Sequence, residues 1–199
     1  MDSGLFDERM KRGELLHDIL ISTAKKVVGV DHDREGIEDM IKAGYENVYC
    51  ADLESWENND HFDIIILGEI IEHVNNCGLF LENIKKYCDK ETTIVFTTPN
   101  AYYYLFWVYA FFKRESIHPD HNYLFSFSSL SILLSKYGFK VIDNKILWEN
   151  VDFTRYGDTG VKKLIKLMVG AMFNLFNLTR YLFPQFGKGL IVIAKIVKE

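Results

Sequence analysis

The chain has 199 residues, 48% of them hydrophobic and 26% charged, with a formal net charge of -5. Those fractions exclude a chain that is disordered throughout, and the acidic balance argues against a general nucleic-acid binder, which carries a basic face. The length suits one domain with a sizeable core, with or without a modest insertion.

In chain order, "ELLHDILISTAKK" puts Leu15, Leu16, Ile19 and Leu20 on one helical face. "VVGVD" then runs apolar into Asp31, the pattern of a short buried strand. "DREGIEDMIKAGY" predicts a helix with Asp33 as N-cap, Ile37, Met40 and Ile41 facing inward, and Gly44 as its stop. "NVYCADLE" is a second acid-ended strand, closing at Asp52. "FDIIILGEIIEHV" contains a third, Asp63 to Leu67, whose continuous apolarity predicts burial on both faces. A helix over Gly78 to Tyr87 leads to a fourth strand, "TTIVFTTPN", stopped by Pro99. "SSLSILLSKYGF" is a helix ending at Gly138, and "FKVIDNKILW" and "GLIVIAKIV" are the last two strands.

Strand and helix alternate through the first two-thirds of the chain. That order calls for parallel strands joined by right-handed helical crossovers, a doubly wound α/β sheet. Ligands of such sheets sit beyond the carboxyl ends of the strands. Here those ends carry Asp31, Asp52, Gly68-Glu69 and Pro99-Asn100.

Two apolar stretches stand apart from this alternation. "AYYYLFWVYAFFKR" is richer in aromatics than a surface helix needs, and it follows directly on a strand end. Core packing, a lipophilic acceptor site and membrane contact each explain it. In residues 161–183, Lys163, Lys166, Gly170, Asn174 and Asn177 trace one narrow polar stripe on an otherwise apolar helix. A homo-oligomer partner, the aromatic insertion or a membrane interface would cover such a segment. No apolar run reaches the roughly 18 residues of a transmembrane helix, and the polar N-terminus is no signal peptide. Cys50, Cys77 and Cys88 show neither a CxxC spacing nor an even count, so they are expected to be reduced thiols of a cytoplasmic protein, peripheral at the membrane if residues 161–183 meet lipid.

"VVGVDHD", "ADLE", "FDIIILGEIIEHV" and "TTPN", in this order and spacing, resemble a class I S-adenosylmethionine-dependent methyltransferase of the small-molecule type, such as those that O-methylate quinone precursors. The likeness runs from about Leu15 to Ile142 and includes the final strand. It implies a three-layer Rossmann-like fold, mostly parallel with an antiparallel C-terminal strand, as a single domain over 1–199 with insertions at about 101–125 and 150–187.

The resemblance also implies roles. Asp31 would accept hydrogen bonds from the two ribose hydroxyls of S-adenosylmethionine, as an ionised carboxylate can. His32 would flank the adenine, Asp52 would receive its amino group, and the backbone of Leu53 would contact the ring. Gly68 and Glu69 would lie beside the methionine portion and the acceptor. Glu69, His73 and His121 are the candidate catalytic residues, a histidine having a pKa suited to general-base work. His118, Asp120 and His121 carry metal-ligand chemistry, but Pro119 favours a turned backbone over one helical face, and no metal is assigned.

In this family the first strand ends in a D-x-G-x-G-like loop. Here only Asp2-Ser3-Gly4 matches it, with Met1 where apolar strand residues should stand. Asp2 and Gly4 are therefore candidate cofactor contacts of a strand that is missing or incomplete. Three explanations follow: an N-terminally truncated version of a longer protein, a minimal strand, or a reduced sheet that need not bind cofactor. The functional expectation is methyl transfer to a small, lipid-linked or aromatic acceptor, with oxygen preferred. Its rival is a non-catalytic relative kept for binding or assembly. An NAD-type oxidoreductase is disfavoured, because no GxGxxG precedes the acid-ended strand.

Overall fold

The computed structural model describes residues 15–115, 117–148, 170, 171, 174 and 181–197. Asp2, Gly4 and most of the 161–183 segment lie outside these. The chain divides into two compact units, Met1–Asn59 with Leu79–Ile84, and Asp60–Gly78 with Lys85–Glu199.

The first unit runs α1 (Leu16–Thr23), β1 (Gly29–Asp31), α2 (Arg34–Lys42) and β2 (Val48–Cys50). β1 and β2 pair in parallel, with Gly29 opposite Val48 and Asp31 opposite Cys50. α2 stops where expected: Gly44 takes a left-handed φ of 92°, open to glycine and strained for other residues. Ile37 and Val48 are buried in this unit. The apolar faces read from periodicity are only partly covered. Leu16, Ile19 and Ile41 are each 53–55% exposed, and α1 buries no residue fully. A helical period names a face; only a packed neighbour buries it. What α1 does contribute is His17, whose ring packs over Gly29 so closely that a Cβ there would meet it at 3.1 Å.

The second unit contains β3 (Ile64–Gly68), β4 (Thr93–Pro99), α4 (Tyr104–Phe111), α5 (Phe127–Lys136), β5 (Phe139–Leu147), a 3-10 turn (Pro184–Phe186) and β6 (Gly189–Ile196); both ends of α3 (Cys77–Lys85) also belong to it. Its sheet has the order β3-β4-β6-β5. β3 and β4 are parallel, and β6 runs antiparallel to both its neighbours, which gives the antiparallel C-terminal strand expected. Alternate residues of the two central strands meet in the core: Ile94 stands opposite Ala194 and Phe96 opposite Val192, all fully buried. Phe139 adds its ring 6.5 Å from Phe96, and Leu130 and Leu134, four apart on α5, are also fully buried. A reciprocal Ser126–Ser129 capping box starts α5, and Gly138 (φ 80°) follows its end.

β3 corrects one expectation. Its apolar run predicted burial on both faces, yet Ile64 is 61% exposed. The reason is topological: β3 is an edge of the four-stranded sheet, so sequence hydrophobicity there exceeds the cover available among the described residues. β5, the other edge, carries Lys140, Asp143 and Lys145 on a largely exposed strand. α4 is likewise less covered than its composition predicts. Tyr104 is buried and stacks on Trp148, but Trp107, Phe111 and Phe112 are 55%, 88% and 73% exposed. No helix among the described residues is long and apolar enough to cross a membrane.

Candidate functional site

In the first unit, the parallel pairing of β1 with β2 brings the two strand-end acids to one rim. Asp31 lies opposite Cys50, and the Ala51 amide donates to the Asp31 carbonyl at 2.9 Å, so Asp52 follows immediately beyond the ladder. Each carboxylate closes a local turn with one oxygen. Asp31 Oδ1 accepts from the Asp33 amide at 2.9 Å, and Asp52 Oδ1 accepts from the Glu54 amide at 2.8 Å. A carboxylate offers about four lone-pair sites, so both keep capacity for a ligand. Both are exposed at the rim. His32 is also exposed, its Nδ1 3.4 Å from Asp31 Oδ1. The Leu53 and Trp56 carbonyls accept from the Asn83 amide group at 3.0 and 2.8 Å, which fixes the backbone after Asp52.

In the second unit, β3 ends in Gly68 and Glu69. A Cβ on Gly68 would meet nothing nearer than Thr97 Oγ1, at 3.8 Å. Packing within the protein therefore does not require glycine here, and the space beside the strand end is open. Glu69 is held at φ 52°, a region that costs a residue with a Cβ about 1 kcal/mol or more. Its amide is anchored on the Thr97 carbonyl at 3.0 Å and within 3.2 Å of Thr97 Oγ1.

The turn that follows meets the loop around residue 120. The Asn122 and Tyr123 amides donate to the Glu72 carbonyl at 2.8 and 3.1 Å. The Asn122 side chain donates to the carbonyls of His73 and Val74 at 2.9 and 3.1 Å, and the Tyr123 hydroxyl to that of Asn75 at 3.1 Å. These bonds bring His73 and His121, both predicted from sequence, to 4.6 Å between ring centroids. His118 stands 5.2 Å from His121 and 6.2 Å from His73. Burial, then the neighbouring His73 and His118, hold the His121 imidazole below its usual pKa, so it is neutral near pH 7.

Two further residues belong to this site. Glu72 is fully buried, and burial pushes its carboxyl above the usual range, opposed in part by its own backbone and the Thr98 side chain. Asn122 is the staple of the loop. The sequence signal for Glu72 was its place in "GEIIEH"; for Asn122 there was none, since its partners lie 48 and 49 positions away. Asn100, at a strand end facing the expected ligand edge, turns inward instead. It is 1% exposed and its amide donates to the Gln185 and Gly187 carbonyls at 2.7 and 2.8 Å. Asp2 and Gly4 lie outside the described residues.

The residues present fit S-adenosylmethionine chemically. Two rim carboxylates can accept from hydroxyl and amino groups, and a strand-end glycine with open space on its Cβ side admits close backbone approach.

A family model described as a methyltransferase domain matches residues 12–144. No curated protein sequence matches. Among solved structures, an S-adenosylmethionine-dependent methyltransferase from Archaeoglobus fulgidus is similar with a TM-score of 0.62 at 19% identity, over 92% of this chain and 81% of that one. One from Clostridium acetobutylicum gives 0.59 at 10% identity, over 94% and 80%. The 1,6-didemethyltoxoflavin-N1-methyltransferase of Burkholderia thailandensis, solved with 1,6-didemethyltoxoflavin and S-adenosylhomocysteine, gives 0.53 at 13%, over 92% and 66%. These likenesses carry the α/β methyltransferase fold, and the matched span, two-thirds of the sequence, carries the family: the chain belongs to the methyltransferase-domain family, of the class I S-adenosylmethionine-dependent kind.

Proposed function

We propose that this chain transfers a methyl group from S-adenosylmethionine to a small acceptor, with a hydroxyl oxygen as the preferred nucleophile. The observation that carries the reading is the shared rim of β1 and β2, where Asp31 and Asp52 stand at the ends of adjacent parallel strands. Asp31 accepts from the ribose hydroxyls and Asp52 from the adenine amino group; His32 and the Leu53 backbone flank the ring. By the family resemblance, Gly68 and Glu69 would serve the methionine portion and the acceptor.

When bound, the cofactor supplies an electrophilic methyl group on a sulfonium centre. This chain's residues then have three tasks: to hold the acceptor oxygen in line, to exclude competing nucleophiles, and to remove the hydroxyl proton. The imidazoles of His73 and His121 supply the polar acceptor side. With the cofactor bound, the acceptor's hydroxyl proton would pass to a ring nitrogen of His73 or His121, the candidate general bases. Oxygen preference is supported by the imidazole pair and by the resemblance to quinone-precursor O-methylating enzymes; the Burkholderia neighbour is named for methylation at nitrogen. The apolar, exposed side chains of Trp107, Phe111 and Phe112 support an aromatic or lipid-linked acceptor.

Calorimetric titration with S-adenosylhomocysteine tests the reading. Micromolar binding is expected, weakened about tenfold or more by Asp31→Ala, the loss of charge-assisted hydrogen bonds. A folded chain that takes up none of this ligand would instead be a non-catalytic relative.

A further inference from the structure

β4 closes on two threonines, and the alternation of a strand sends their side chains to opposite faces. Thr98 is fully buried. Thr97 is only partly covered and stands opposite Gly68 in the parallel ladder, on the face where Gly68 has no side chain. A Cβ added to Gly68 would meet Thr97 Oγ1 at 3.8 Å and, its chain neighbours aside, nothing else within 4 Å. This hydroxyl therefore borders the open space at the strand end.

Its partner is the residue that leaves the strand. The Glu69 N–H is shared between the Thr97 carbonyl at 3.0 Å and Thr97 Oγ1 at 3.2 Å. Any residue at position 97 supplies the carbonyl and so continues the ladder; the second acceptor comes from the side chain alone. Glu69 then departs with φ 52°, a left-handed conformation disfavoured for a residue with a Cβ. Turning the Gly68–Glu69 peptide to relieve that conformation would break both bonds at once. The shared N–H thus fixes the peptide from which the Glu69 side chain departs.

Where that side chain points has an electrostatic consequence. Burial, His73 and His118 lower the pKa of the His121 imidazole, whereas Glu69 and Asp120 raise it. Glu69 also acts on the buried Glu72, whose carboxyl it pushes up. Its carboxylate, itself exposed, stands within charge range of both.

We propose that Thr97 is a positioning residue of the acceptor side: its hydroxyl anchors the Glu69 amide and thereby holds the Glu69 carboxylate within reach of His121. Thr97 acts through Glu69 and touches no reacting group. The use of this carboxylate toward an acceptor rests on the methyl-transfer reading. The link from Thr97 through Glu69 to His121 does not, since it needs neither cofactor nor acceptor. Thr97→Val keeps the shape of the side chain and the carbonyl bond, and removes only the second acceptor; the freed peptide lets the Glu69 carboxylate swing away from His121.

Histidine side-chain NMR titration of the full chain tests the link. Glu69→Gln removes the charge, and the His121 midpoint is expected to fall by about 0.3 pH or more. Thr97→Val should move it in the same direction by at least half as much. Thr97→Ser keeps the hydroxyl and should leave it within about 0.1 pH of the unsubstituted chain. Added to Glu69→Gln, Thr97→Val should move it no further, because the two changes act on one interaction. An unmoved midpoint in Thr97→Val or in Glu69→Gln, an equal fall in Thr97→Ser, or a further fall in the double variant would each overturn the assignment. Should the Thr97 variants not fold, amide hydrogen exchange of the unsubstituted chain decides: the Glu69 amide must be protected about tenfold or more over an unstructured amide, and free exchange refutes the anchor. Calorimetry of the same chain with S-adenosylhomocysteine separates failure here from failure of the methyl-transfer reading.

Discussion

The Nδ1 of His73 hydrogen-bonds the backbone carbonyl of Asp120, 47 positions along the chain, at 3.0 Å. This polar contact helps join the turn after β3 to the loop carrying His118 and His121, and places the His73 ring proton on Nδ1, since the carbonyl can only accept. Asn122 stabilises the same join through the carbonyls of His73 and Val74. Asn122→Ala is accordingly expected to lower kcat about tenfold or more, by loosening the geometry of the acceptor side, while the dissociation constant for S-adenosylhomocysteine stays within about twofold. Steady-state kinetics paired with calorimetry checks the split.

Gly68 separates ligand space from packing. A side chain there meets only Thr97 Oγ1, at ordinary contact distance. Gly68→Ala should therefore leave the melting temperature nearly unchanged, yet reduce affinity for S-adenosylhomocysteine about tenfold, because the methyl group occupies the space proposed for the cofactor. Equal affinity in the two proteins would move the cofactor away from this strand end.

Asn100 is predicted to matter for stability and not for ligand binding. Its buried amide satisfies the Gln185 and Gly187 carbonyls, and its Oδ1 accepts from the Tyr102 amide at 3.1 Å. Asn100→Ala leaves those groups without their partner, at a cost of about 2–4 kcal/mol. Urea unfolding would show the change in midpoint.

His17 supplies a pH dependence in the first unit. Burial lowers its pKa from the ordinary 6.5, only partly opposed by Asp18, and its Nε2 is buried without a partner. Tyr45 packs edge-on against the ring at 5.5 Å and gives the proton no acceptor in that contact. The folded state thus holds the neutral ring. Since the folded pKa lies below the unfolded one, this stabilisation is complete above about pH 6.5 and is lost as pH falls through the folded value. His17→Leu should lose less stability than the unsubstituted chain between about pH 7.5 and about pH 5. Chemical denaturation at both pH values measures the difference, and parallel losses would refute the assignment.

The local text of the sequence determined where strands end and which acids stand there. Asp31, Asp52 and Gly68-Glu69 were legible because a short apolar run followed by an acid or glycine is a local pattern. The stops at Gly44 and Gly138 were legible for a similar reason, and both adopt left-handed φ values. Together with the spacing of "FDIIILGEIIEHV" and "TTPN", these patterns also identified the family. Tertiary structure decided the rest. It put β3 at a sheet edge, so that Ile64 is exposed despite its apolar surroundings in sequence, and it turned Asn100 inward onto carbonyls some 85 residues away. It also brought His121 to His73 and buried Glu72 between elements that no period of 2 or 3.6 connects. Periodicity records which face a residue occupies within its own element. Which faces meet depends on chain closure over tens of residues, and that information resides in no short window of sequence.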